Sequence, residues 1–251
     1  MWDRGILKSN AKLALRGRYW TAFAVCLVAL LISEALNIFT MPIQIQYQFL
    51  AFNPLANQAD IMAQSGVTNL ISVGNLLLGI FVGLPLEIGL ARFFVQNRFG
   101  RTDFGTLFSG FRQNYGNGVG ALFVTNLFIC LWSLLLIIPG IVKALQYSMV
   151  SYILSDNPSI PGSRAREISR MMTNGEKGAI FVLILSFLGW FLLGAICFGV
   201  GILFVIPYYN ATMSELYVFL RDRAIQTGQL NPAELGLVVP APYSQDQQPQ
   251  S

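Results

Sequence analysis

The sequence predicts an all-α fold, a polytopic membrane helix bundle of six passes arranged as three tandem helical hairpins with both termini on the cytoplasmic side. Three observations carry that prediction. Hydrophobic residues make up 54% of the 251 positions and charged residues 11%, against roughly a quarter charged in an average soluble domain. Apolar runs of about twenty residues, enough to cross a bilayer as helices, recur along the chain. Every Lys and Arg except Lys143 falls where alternate connections meet the cytoplasm, the asymmetry that orients membrane helices.

Residues 1–18, "MWDRGILKSNAKLALRGR", form a basic cytoplasmic amphipathic segment with Arg4, Lys8, Lys12, Arg16 and Arg18. The first pass, Tyr19–Phe39, has no Ala-x-Ala-like cleavage site and is read as a retained helix, not a signal peptide. The long connection that follows carries only Asp60 as a charge and is expected to be an outer loop. Leu70–Val95 returns the chain to the basic stretch with Arg98, Arg101 and Arg112. Val119–Ile138 and Pro139–Leu154 are either one long kinked helix or two passes. A single helix would put Arg164, Arg166 and Arg170 on the outer side, whereas a reversal at Pro139-Gly140 keeps them inside. The reversal is therefore expected, with a short fourth pass that is re-entrant or starts below the outer surface. Gly178–Phe198 and Ile202–Leu220 complete a membrane domain spanning 19–227, and the Pro- and Gln-rich tail, 228–251, is expected to be a disordered cytoplasmic extension.

Internal repetition fits the hairpins. An ungapped shift of 58 residues lays Arg112 on Arg170, Phe123 on Phe181, Leu127 on Leu185 and Trp132 on Trp190. The second, fourth and sixth passes carry Pro85, Pro139 and Pro207 as helix-breaking residues in their outer halves. Proline is also common in membrane helices as a simple bend.

Glu34, Glu87, Lys143 and Glu215 lie inside the passes, where a charge needs a partner, water or an interface. Glu87 and Lys143 fall two and four residues past their prolines and so at similar depth, which favours an ion pair or a shared polar path. Glu34 is a competing partner, and snorkelling of Lys143 to the surface is the plain alternative. Glu215 is expected near Arg221 and water. The cytoplasmic stretches "TDFGTLFSGFRQNYGNG" and "PGSRAREISRMMTNGEK" look amphipathic, with Arg101, Arg112, Arg164, Arg166 and Arg170 facing anionic lipid headgroups or a membrane-protein partner.

Enzyme signatures are missing from the chain. It has no His, its three Cys lie in apolar runs, and no Walker, H-E-x-x-H or G-x-S-x-G motif occurs. No catalytic residue, cofactor or metal site is expected, and the net charge of +4 reflects topology, not nucleic-acid binding.

The runs "LLLIIPGIVKALQYSM" (134–149), "SYILSDNP" (151–158), "SRMMTNGEK" (169–177) and "SFLGW" (186–190) resemble the bacterial membrane proteins grouped as domain of unknown function 975. The resemblance covers most of residues 1–222. It implies a multi-pass protein of the bacterial cytoplasmic membrane and no particular activity. Proline-broken helices and intramembrane charges point to a non-enzymatic protein that handles a lipid or amphipathic small molecule as a transporter or transport accessory. The basic collar and tail support an alternative, a scaffold or regulatory interaction protein or a homo-oligomer, and an intramembrane enzyme using two carboxylates is a third.

Overall fold

A computed structural model describes residues 2–53, 57–112, 114–196 and 199–237, and these are helical with no strand among them. Helices satisfy their own backbone groups, which is what an apolar solvent demands. Helix α1 (Arg4–Leu15) starts on Asp3, whose carboxylate accepts the N–H of Gly5 at 2.6 Å and of Ile6 at 3.2 Å. It buries Leu7, Ala11 and Leu15 on one face. The turn at Gly17, with φ of 76°, leads into α2 (Tyr19–Ser33), and the two helices meet at 95°.

The first pass does not run unbroken to Phe39. It breaks at Glu34 between α2 and α3 (Ala35–Phe52). The expected outer loop is largely helical: α3 is followed by α4 (Gln58–Leu78), which packs back along it. Gln, Met and Leu are good helix formers, so polar content had lowered the hydropathy of this stretch without lowering its helix propensity. From α4 the chain continues through a π-helical turn, Gly79–Gly83, into α5 (Leu84–Arg98). This run of 41 residues is roughly 60 Å long at 1.5 Å per residue, so the expected pass Leu70–Val95 is only part of a longer rod.

Phe104–Phe111 forms a 3-10 stretch that runs back along α5. The approach is very close: a Cβ on Gly89 would stand 1.7 Å from the Leu107 carbonyl oxygen, and one on Gly110 2.1 Å from that of Pro85. Leu107 is therefore buried against α5, not laid flat in the lipid interface as expected.

Helices α6 (Tyr115–Leu135) and α7 (Ile137–Tyr147) form a hairpin whose turn is the single extended residue Leu136, φ −157° and ψ 137°. The reversal lies three residues ahead of the expected Pro139. Proline fits the first turn of α7, where a backbone N–H has no helical partner anyway. After a break at Ser148 and Met149 comes α8 (Val150–Asp156). Helix α9 (Gly162–Met172) stitches that break: the Ser169 hydroxyl donates to the Gln146 carbonyl at 2.8 Å and accepts the Met149 N–H at 3.3 Å. Ile168 and Met172 are buried in the bundle, so the apolar face of α9 is covered by protein. Helices α10 (Lys177–Ile196) and α11 (Val200–Gln226) make the last hairpin, with Gly194 against Gly201.

Among the described residues four helical runs are long and apolar enough to cross a membrane: Gln58–Arg98, Tyr115–Leu135, Ile137–Asp156 and Lys177–Ile196, or five if the bent α1–α2 pair is one span. At 27 residues α11 is long enough, but Asn210, Ser214 and Glu215 interrupt its apolar character. Met149, Ile153, Leu154, Ile168, Phe187 and Tyr217 anchor the main core, and Ala22, Val25, Phe93, Phe94 and Leu107 a second one around α1, α2 and α5. Beyond these cores the hairpin arms expose large apolar residues such as Leu76, Leu134, Ile138, Leu193 and Ile196. Such continuous apolar exteriors suit contact with lipid.

The start of the expected disordered tail is folded. Leu230 and Leu235 are buried, and a 3-10 turn, Pro232–Leu235, rests on the base of the bundle. Those leucines give it apolar surface to bury, which a purely Pro- and Gln-rich tail lacks. Residues 238–251 of that expectation lie outside the described residues.

Candidate functional site

Helices α5, α7 and α11, which carry Pro85, Pro139 and Pro207, converge on one cavity of 450 Å³. The residues two positions past Pro85, Pro139 and Pro207 are Glu87, Ile141 and Tyr209, and those six positions past are Ala91, Leu145 and Met213; all six line it. Positions four apart share one face of a helix, so each helix presents the same face to the cavity. Ser148, Ser151 and Asn210 add polar groups to its wall. Glu87 keeps its accessible surface toward this space and lies against Ser151.

Phenols from other helices bond carbonyls beside two of these prolines. Pro85 lacks the N–H that would bond the Phe81 carbonyl, which instead accepts the Tyr115 hydroxyl at 2.7 Å. The Phe204 carbonyl, three residues before Pro207, accepts the Tyr19 hydroxyl at 2.8 Å. Cross-helix bonds of this kind let a membrane helix carry a proline.

The four charges that the sequence places within passes are not assembled as expected. No ion pair joins Glu87 to Lys143; the Lys143 Nζ lies 5.2 Å from the Trp132 ring centre and 5.8 Å from that of Tyr147. The reason is angular. Two and four residues past a proline are about 200° apart around a helix, so when the first position faces the cavity the second faces away. Glu34 sits at the α2–α3 junction, where its Oε2 accepts the Asn37 amide at 2.7 Å, and the Asn37 oxygen accepts the Asn75 amide at 2.5 Å. That chain ties α3 to α4. Glu215 pairs with Arg98 at 3.2 Å, not with Arg221, and is buried.

Residues 112–224 match the family described as protein of unknown function (DUF975). No curated protein and no solved structure matches the chain. The matched region is narrower than the resemblance over residues 1–222 and covers α6 to α11 up to Ala224. Its motifs acquire structural roles. In the "SYILSDNP" run of the DUF975 region, Ser151 and Tyr152 line the cavity, while Ile153 and Leu154 are fully buried. Asp156 accepts the Tyr217 hydroxyl at 2.6 Å and pairs with Arg221 at 3.1 Å, and the Tyr152 and Tyr217 rings stack at 5.3 Å. The Asn157 amide donates to the Glu234 carbonyl at 2.8 Å. In "SRMMTNGEK", Ser169 and Thr173 bond the Gln146 carbonyl, and Glu176 pairs with Arg223.

The expected collar is only partly free. Arg164 makes a two-bond contact to Glu234, 2.9 and 3.2 Å, and a bond to Glu167. These bonds from Arg164 hold the Glu234 carboxyl below its ordinary range, and they raise Arg164 itself. Arg166 lies over the Phe128 ring at 5.7 Å, while Arg101, Arg112 and Arg170 are exposed. Sequence reasoning missed Ser148, Ser151, Tyr209 and Asn210. Superposing the three helices on their prolines would have found Tyr209, because it stands at the same offset as Glu87.

Proposed function

We propose that this is a non-enzymatic protein of the bacterial cytoplasmic membrane that handles a lipid or other amphipathic small molecule, as a transporter or transport accessory, in the cavity beside Glu87. The observation that carries the reading is the meeting of equivalent positions from three proline-bearing helices around one carboxylate. Among the described residues Glu87 is the one formally charged group in the wall, so the ligand's polar end is a cation or a hydrogen-bond donor and its body is apolar. The reading includes six passes as three tandem hairpins with both termini inside. Its support is the one-sided distribution of Lys and Arg, and the similar exposure of residues 58 apart, Phe123 with Phe181 and Leu127 with Leu185.

A cationic amphipathic fluorophore titrated onto the purified protein in neutral detergent tests the site. Saturable binding weakened about tenfold by both Glu87→Gln and Met213→Trp is expected; non-saturable binding, or binding indifferent to both changes, refutes it. In a cysteine-free background, an impermeant reagent added to intact cells is expected to label Asp60→Cys and to spare Glu167→Cys. The opposite pattern defeats the orientation.

One observation favours the scaffold reading as a second choice. None of the residues of α4 is buried, so the α3–α4 arm presents an uncovered surface to a partner or a second copy. Cross-linking between chains through Leu70→Cys within the membrane would support it.

A further inference from the structure

A second, larger space lies on another side of the molecule: a groove of 910 Å³ between α1 and the α10–α11 hairpin, with Lys8, Lys12 and Arg16 on one wall and Trp190, Phe204 and Tyr208 on the other. We propose that this groove is a binding site for a bilayer phospholipid with an anionic headgroup.

The geometry begins in the spacing of α1. Leu7, Ala11 and Leu15 recur every four residues and anchor the helix on the bundle. Lys8, Lys12 and Arg16 recur at the same interval one residue later, so they form a parallel stripe turned by about 100° from the anchor. That turn carries them to the rim of the groove. Among the described residues no carboxylate lines it and no ion pair includes any of the three cations. Two are held over aromatic faces instead, the Lys8 Nζ 4.5 Å from the Phe187 ring centre and the Lys12 Nζ 5.7 Å from that of Tyr208. Three positive charges thus face a space that no carboxylate of the described residues lines.

The opposite wall says what else the occupant needs. Trp190 and Phe204 are exposed and apolar, and Leu193, one turn beyond Trp190 on the same face of α10, is exposed as well. A small soluble anion has no use for that surface, whereas an acyl chain does. A phosphate at the stripe and a chain along α10 and α11 satisfy both walls. The charge here is opposite to that of the Glu87 cavity, so the two sites take different chemistries, and this one stands whether or not the cavity carries cargo.

The test uses full-length protein in neutral detergent with Trp2→Phe and Trp132→Phe, which leaves as reporters Trp190 in the groove wall and Trp20, whose ring meets that of the lining Tyr19 at 5.8 Å. Brominated phosphatidylglycerol is expected to quench their fluorescence at about tenfold lower mole fraction than brominated phosphatidylcholine. Lys8→Gln/Lys12→Gln/Arg16→Gln should erase that preference while leaving quenching by the zwitterionic lipid unchanged, which also shows that the variant is folded. Lys8→Arg/Lys12→Arg should keep the preference, as should Arg101→Gln/Arg112→Gln/Arg170→Gln, which removes equal charge elsewhere. The proposal is overturned if the first triple variant retains the preference, if the second loses it equally, or if glycerol phosphate reverses the quenching as effectively as the lipid does.

Discussion

Gly140 lies against Ser133 across the turn at Leu136, so closely that a Cβ on Gly140 would stand 2.2 Å from the Ser133 hydroxyl oxygen and 2.6 Å from its Cα. This contact makes the stretch from α6 to α7 a hairpin, because seven residues of continuous helix would hold the two about 10 Å apart. Gly140→Ala should accordingly destabilise the detergent-solubilised protein by about 1–3 kcal/mol through overpacking. Gly120→Ala in α6, where a Cβ meets nothing within 4 Å, should stabilise it by up to ~1 kcal/mol. Thermal unfolding of both variants measures the contrast, and a stabilising Gly140→Ala would remove the hairpin.

The Arg98–Glu215 pair is lopsided: the Arg98 side chain is 33% exposed and that of Glu215 3%. Removing the arginine leaves a buried carboxylate alone, whereas removing the carboxylate leaves a guanidinium that can reach water. Arg98→Met is therefore expected to cost about 3 kcal/mol and Glu215→Gln about 1 kcal/mol. Equal losses would mean that the pair is screened by water on both sides.

Glu87 and Lys143 should behave as independent groups. Lys143→Met loses contacts to the Trp132 and Tyr147 rings and is expected to cost no more than ~1 kcal/mol. In a double-mutant cycle with Glu87→Gln the two effects should add within ~0.5 kcal/mol. Coupling beyond that would restore the ion pair expected from depth alone.

The contact between Arg164 and Glu234 makes docking of residues 228–237 sensitive to acid. Hydrogen bonds from Arg164 depress the Glu234 pKa in the folded state. Its contribution is therefore present above the unfolded-state carboxylate pKa and lost as pH falls through the depressed folded-state value. Amide hydrogen exchange of residues 230–237, corrected for intrinsic rates, should accelerate on that acid side, and Arg164→Gln should give the fast exchange already at neutral pH. Protection that persists at low pH would assign the docking to buried Leu230 and Leu235 alone.

The hairpin at residues 136–140 was legible before any coordinate, because the cations of residues 164–177 fall on the wrong side without it. The cavity was half legible. Proline offsets marked Glu87, but residue spacing expresses depth along a helix and says little about azimuth, which is why Lys143 looked like its partner. The helical arm α3–α4 was hidden because its Gln, Asn and Thr residues suppress hydropathy, the signal used to find passes. Arg164 was readable as a cation in an amphipathic stretch and its pair with Glu167 is local, but its two-bond partner Glu234 lies 70 residues away in the chain.

By itself the sequence determined the apolar composition, the helical class and, to within a few residues, the reversal between α6 and α7, since these follow from local composition, charge order and breakers acting along the chain. Tertiary structure alone decided which charges meet: Glu215 with Arg98, Asp156 with Arg221, Lys143 with two rings and Glu87 with a cavity. It also decided that one basic stripe of α1 borders a groove while the row one residue earlier is buried. The physical reason is rotation: each residue turns a helix by 100°, so partners are chosen by how neighbouring helices are rotated and packed, a property of the assembled bundle and not of any one segment.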